Sequence, residues 1–124
     1  MSEQDCLFCK IVAGDIPADK VIETEDVLVF RDIGPQAPVH LLAVPKRHIA
    51  SIAAVKDADA PLLGQLFQAA NAAANLSGLE QRGYRIATNV GEEAGQTVFH
   101  LHLHIMGGAP LGPLAVPEPQ ERAP

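Results

Sequence analysis

The sequence predicts an α+β protein built on a five-stranded antiparallel sheet, with one long and one short helix. Three observations carry that expectation. Over Val98-Phe99-His100-Leu101-His102-Leu103-His104-Ile105-Met106, His100, His102 and His104 share one face and Phe99, Leu101, Leu103 and Ile105 the other. That two-residue period belongs to a strand with one buried face. One long segment, Pro61 to Ala74, repeats apolar residues at helical spacing. The connections between predicted elements are short, which favours antiparallel neighbours.

The elements follow in chain order. Asp5 is placed to cap a short helix over 6–13 that stops at Gly14, with Phe8, Ile11 and Val12 on its apolar face. Ile16-Pro17 leaves it for an extended segment. Strands are expected over 20–23 and 27–31, separated by a turn at Thr24-Glu25-Asp26. Residues 32–38 hold two prolines and a glycine and cannot continue a ladder, so they form a loop. A third strand runs over 39–44, with His40 and Leu42 on one face. Asp57 or Asp59 can cap the long helix, Pro61 suits its first turn, and Gly78 ends it. Leu62, Leu63, Leu66, Phe67, Ala70, Ala73 and Ala74 are its expected core face. A fourth strand spans 84–89. A turn over 91–95 leads into the histidine strand, the fifth. Residues 107–124 carry five prolines and no period, which reads as an irregular tail.

With 124 residues the chain suits one domain. Nine basic residues against fifteen acidic ones leave a net charge of −6, which argues against a broad nucleic-acid-binding face. No apolar run approaches membrane-spanning length, and the first residues lack the charged and apolar regions of a signal peptide. The two cysteines stand too close in sequence to staple a fold, so a reducing, cytoplasmic setting is expected.

Cys6-x-x-Cys9 admits three readings: a redox pair, half of a metal site, or two inert thiols. The redox reading needs a strand running into the helix, and none precedes it. The metal reading needs two further ligands, which His48 and one histidine of the strand can supply. The histidine row also has three readings: a solvent face, a metal site, or imidazole catalysis. Alternate residues splay along a strand, which disfavours a three-histidine metal site. Gly91, Gly95, Asn89, Gln96 and the Thr97 hydroxyl just upstream offer donors to an anion, which favours catalysis at a phosphate. Neutral imidazole is a competent nucleophile at phosphorus near pH 7. His102, flanked by imidazoles on both sides, is the expected nucleophile. Asp32, at a strand end, is either a turn former or an acceptor for ribose hydroxyls. His40 either packs in the core or faces the histidine row.

These residues together resemble the histidine triad (HIT) superfamily. His100-Leu101-His102-Leu103-His104-Ile105-Met106 is similar to its His-φ-His-φ-His-φ-φ signature, φ being apolar. Phe30 to His40 resembles its ribose-binding segment. Pro45-Lys46-Arg47-His48-Ile49, Asn89-Val90-Gly91 and Gly95 to His100 also fit, in the family's order. Gly107-Gly108 after the triad resembles the histidine triad nucleotide-binding (Hint) branch, where dinucleoside-polyphosphate hydrolases usually carry Pro-Arg.

The resemblance implies a HIT-like fold over 1–114 followed by a Pro-rich tail over 115–124, and a homodimer whose two sheets join. It implies hydrolysis of purine nucleoside phosphoramidates to the nucleoside monophosphate through a covalent nucleotidyl-histidine. His102 would be the nucleophile and His104 the phosphate and leaving-group histidine, with His40 in support. Thr97, Asn89, Gly95 and Gln96 would sit at the phosphate and leaving group, and Asp32 at the ribose. Phe8, Ile11, Ile16, Phe30, Ile33 and Leu42 would line the base pocket. Bacterial HIT proteins with the cysteine pair bind zinc, which here implies the set Cys6, Cys9, His48 and His100. The alternatives are a nucleotide- or partner-binding protein with little turnover, and a dinucleoside polyphosphate hydrolase.

Overall fold

A computed structural model describes residues 5–115. It has two α-helices, α1 (Leu7–Ala13) and α2 (Ala60–Leu76), and five strands. The strands are β1 (Lys20–Glu23), β2 (Val27–Arg31), β3 (Val39–Pro45), β4 (Tyr84–Ala87) and β5 (Leu103–Gly107). They form one sheet in the order β1-β2-β3-β5-β4, antiparallel at every pairing. The expected α+β architecture is the one found.

The two central strands explain the layering. β2 and β3 are buried along almost their whole length rather than at alternate residues, because a helix covers each face of the sheet. Val27, Val29, Leu41, Ala43, Leu103 and Ile105 pack with Leu66, Ala70, Ala73 and Ala74 of α2. Leu28, Phe30, Leu42 and Val44 face the other way and pack with Cys6, Phe8 and Ile11 of α1. His40 shares the α1 face with Leu42, and the register sets Leu42 opposite His104. The imidazoles of β3 and β5 therefore meet on the side of the sheet that α1 covers.

Five details differ from the sequence reading. The fifth strand begins at Leu103, so only His104 of the histidine row lies in the ladder. His100 ends a bend over 98–100 and His102 lies in irregular chain before β5, with the Leu101 N–H between them donating to the Ile49 carbonyl at 2.6 Å. Both rings keep to the α1 side all the same, where Phe8 of α1 meets each of them. Leu101, Leu103 and Ile105 are buried as expected, whereas Phe99 is only partly so. The cap of α1 is Cys6, whose sulfur accepts the Cys9 N–H at 3.3 Å, rather than Asp5. β4 ends at Ala87, two residues before Asn89. Phe67 is 46% exposed, since the buried stripe of α2 runs through Leu66, Ala69, Ala70, Ala73 and Ala74. Most of the expected tail, beyond Ala115, lies outside the described residues.

Among the described residues no helix is long and apolar enough to cross a membrane. The two glycines after the triad are required by space. A Cβ on Gly107 would stand 2.9 Å from Leu79 Cδ1 and 3.3 Å from the Gly83 carbonyl. Gly108 has φ +94°, and a Cβ there would meet Pro38 Cβ at 2.9 Å.

Candidate functional site

Two groups of side chains lie next to each other on the α1 face. The first comes from three separate segments. Capping by Cys6 puts Cys6 and Cys9 on one side of the first turn of α1. His48 follows the end of β3, and His100 precedes β5. Cys6 Sγ lies 3.3 Å from His100 Nδ1, Cys9 Sγ 3.3 Å from His48 Nδ1, and Cys9 Sγ 3.5 Å from His100 Nδ1. All four ligand atoms fall within 4.8 Å of one another.

Those spacings test whether a metal fits. A tetrahedral ion with bonds of about 2.3 Å to sulfur and about 2.0 Å to nitrogen sets sulfur–nitrogen edges of roughly 3.5 Å. The observed distances match. The surroundings agree as well. His100 Nε2 donates its N–H to the Pro45 carbonyl at 2.8 Å. That leaves Nδ1 without a proton and facing the sulfurs, the arrangement of a metal-ligating histidine with its outer hydrogen bond in place. Cys6, Cys9, His48 and His100 could thus hold a metal ion with tetrahedral preference, and the set is compatible with zinc.

The second group is His102, His104, His40 and Asp32. His102 is 7% exposed, and its Nδ1–H donates to the His100 carbonyl at 2.7 Å. Its Nε2 therefore carries the free lone pair. Burial, the largest influence, holds the His102 pKa below its ordinary value, against the raising effects of the His100 carbonyl and Asp32. His104 is pushed down to about 4, first by burial and then by the neighbouring His102 and His40. Both rings are neutral near pH 7. His40 Nε2 lies 2.9 Å from His104 Nδ1 and 3.4 Å from Asp32 Oδ2. Asp32 Oδ1 accepts the Gly34 N–H at 2.8 Å. Asp32 thus makes the turn that one of its two readings expected, and its other oxygen reaches the His40 imidazole.

A cavity of about 240 Å³ opens onto these groups. Phe8, Ile11, Ile16, Phe30, Ile33 and Leu42 line it, together with Asp32, Thr97, His102 and His104. Every residue expected at the base pocket is there. Ile33 stands fully exposed at its mouth. Phe8 sets its ring edge-on to His102, centroids 5.1 Å apart, and 6.0 Å from His100, so one side chain touches both groups.

The turn before the triad is built differently from the expected cluster of anion donors. The N–H groups of Gly91, Gly95 and Gln96 go to Gln96 Oε1, the Glu92 carbonyl and the Gly91 carbonyl. The Gln96 amide nitrogen donates to the carbonyls of Ala50 and Val98. Gln96 is buried, and its side chain braces the loop, leaving no amide donor for a ligand. Asn89 and Gly95 are not among the residues that line the cavity, whereas Thr97 is.

Three groups escaped the sequence reading. Thr88 Oγ1–H donates to the His102 carbonyl at 2.8 Å and steadies the chain beneath that ring. Its only signal was a hydroxyl near a strand end. The Pro45 carbonyl and the Gln36 N–H, which donates to His40 Nδ1 at 3.0 Å, are backbone groups without any sequence signal.

The comparisons with known proteins agree with this geometry. Residues 5–112 match the family model described as scavenger mRNA decapping enzyme C-term binding. An uncharacterized HIT-like protein of Synechococcus elongatus is 47% identical over 111 residues, 90% of this chain and 96% of its own. The chain belongs to the HIT family. A HIT family hydrolase from Legionella pneumophila is similar in structure, with TM-score 0.85 and 49% identity over 87% of this chain and 96% of its own. The histidine triad nucleotide-binding protein from Candida albicans is similar at TM-score 0.77 and 31% identity, over 93% and 87%. The chain is thus similar both to a HIT family hydrolase and to a histidine triad nucleotide-binding protein.

Proposed function

We propose that the protein hydrolyses purine nucleoside phosphoramidates, through a nucleotidyl group carried on His102, to AMP or GMP. The observation that carries this reading is the 2.7 Å hydrogen bond from His102 Nδ1 to the His100 carbonyl beside an apolar cavity. A nucleophilic imidazole needs its far nitrogen occupied by an acceptor, so that the lone pair stays on the near one. Attack by Nε2 forms an N–P bond and breaks the P–N bond to the amine, which leaves with a proton from solvent. Water then cleaves the histidine–phosphorus bond and restores the imidazole. His104 contacts the phosphate, Asp32 takes the ribose hydroxyls, Thr97 lies toward the leaving group, and the apolar walls hold the base.

Cys6, Cys9, His48 and His100 would hold a zinc ion. When bound, zinc supplies a closed structural cross-link between α1 and the chain before β5. A cysteine pair that serves as metal ligands fits a reducing, cytoplasmic setting. The packing at Gly108 supports the Hint type over the dinucleoside-polyphosphate hydrolases, since an arginine there would be strained at φ +94° and its Cβ would crowd Pro38. A homodimer is supported by β4, which ends the sheet, and by exposed Phe67. Phe67 stands one helical turn from Asn71, and Asn71 accepts from the Tyr84 hydroxyl of β4.

The test is incubation with an adenosine 5′-phosphoramidate. Release of AMP, with AMP trapped on His102 after acid quench, is the expected result. Tight AMP binding without turnover across a panel of leaving amines overturns it in favour of a nucleotide-binding protein.

A further inference from the structure

Asp32, His40 and His104 also bring three metal-type ligand atoms within 4.8 Å of one another. By distance alone they rival the cysteine–histidine group. The proton on His40 decides against a metal there. His40 is buried, and its Nδ1 accepts the backbone N–H of Gln36 at 3.0 Å. A nitrogen that accepts an N–H carries no proton of its own. The neutral ring therefore keeps its proton on Nε2. The Asp32 carboxylate, 3.4 Å from Nε2, agrees because it can only accept, and His104 Nδ1 at 2.9 Å is placed to take the same proton. A metal at Nε2 would need that proton moved to Nδ1, against the Gln36 N–H. At His100 the corresponding outer partner is a carbonyl, the opposite polarity.

We propose that the Gln36 backbone N–H is a positioning group that fixes the His40 tautomer and, through it, holds His104 as a neutral hydrogen-bond donor. The chain of donors runs one way. Gln36 N–H donates to His40 Nδ1, and His40 Nε2–H donates to His104 Nδ1. His104, with Nδ1 accepting, keeps its proton on Nε2. To become a cation, His104 would need a proton on Nδ1 as well. Two N–H groups would then face each other across 2.9 Å. His40 could yield its Nε2 proton only by taking another at Nδ1, where the Gln36 N–H stands. The loop over 32–38 thus closes the route by which His104 would become an acid. On the functional reading above, His104 steadies a phosphoryl oxygen through a neutral N–H and does not deliver a proton to the leaving group. The tautomer itself is independent of that reading.

The test uses the intact, ¹⁵N-labelled protein with the metal it purifies with, and long-range ¹H–¹⁵N correlation of the imidazoles at neutral pH. The expected pattern is protonated Nε2 with bare Nδ1 for both His40 and His104. A scalar coupling across the hydrogen bond should join the Gln36 nitrogen to His40 Nδ1. A His40 with its proton on Nδ1, a tautomer average, or a pure Nε2–H ring without that coupling overturns the proposal. Gln36→Pro removes the N–H, while Gln36→Ala keeps it. The pure pattern should survive in Gln36→Ala and give way to an average in Gln36→Pro. A folded Gln36→Pro protein that keeps the pure pattern overturns the role of Gln36. Because the readout is spectroscopic, its failure is distinct from a failure to hydrolyse phosphoramidates.

Discussion

The cysteine–histidine group and the Asp32–His40–His104 group lie on one face of one sheet and have similar ligand spacings. They differ in the partner behind the ring. His100 Nε2 meets a carbonyl, which frees Nδ1 for a metal, whereas His40 Nδ1 meets an N–H, which leaves a proton on the nitrogen facing the cluster. Ligand spacing is thus a necessary sign of a metal site and an insufficient one. The hydrogen bond on the far nitrogen carries the remaining information. His102 stands between the groups, its Nδ1–H on the backbone of one and its ring 4.9 Å from His104 of the other.

The largest effect expected falls on the ring between them. His102→Ala should lower kcat for an adenosine phosphoramidate by about 10³-fold or more, while metal content per chain is unchanged. Equal turnover would place the nucleophile elsewhere. Cys9→Ala, or a chelator, should release the metal and destabilise the fold by about 4 kcal/mol where free metal exceeds its Kd 1,000-fold. Denaturant titration with elemental analysis measures both. The comparison breaks if His40→Asn or His104→Asn also lowers metal stoichiometry, or if the wild-type protein holds two ions per chain.

A pH titration separates the groups further. His104 is held at about 4 against an ordinary value of 6.5. Between those values the unfolded chain binds a proton that the folded chain refuses, so stability falls as pH drops from 6.5 toward 4. His104→Asn should show a shallower decline over that window in denaturant midpoint. Parallel curves for variant and wild type would contradict a depressed His104. The smallest effect expected is from Thr88→Val, which removes one hydrogen bond to the His102 carbonyl. It should cost about 1 kcal/mol of stability and lower kcat more than it raises KM. A pure KM effect would mean that Thr88 does not position the nucleophile.

Much of this was legible in the sequence where side chains carry the signal. Leu101, Leu103 and Ile105 alternate into the core, and Leu66, Ala70, Ala73 and Ala74 mark the α2 stripe. The four thiol and imidazole ligands were named by a family resemblance, and the apolar cavity wall likewise. The start of the fifth strand was not legible, because alternation in His100 and His102 does not require a ladder. Nor was the brace formed by Gln96: a buried amide and a ligand donor look the same in one dimension. The polarity of the His40 and His100 environments rests on main-chain groups of Gln36 and Pro45, which any residue with that backbone would present.

Phe8 gives the arrangement a mechanical side. α1 has seven residues, too few to be stable as an isolated helix, and is tethered by its first turn to His48 and His100. Its Phe8 ring is at once a wall of the cavity and a neighbour of His102. The opposite face of the sheet, under α2, has no part in either group. Once that tether is lost, as on metal removal, local opening is expected to begin at α1, and hydrogen exchange should show the cavity losing its shape while the sheet and α2 stay protected.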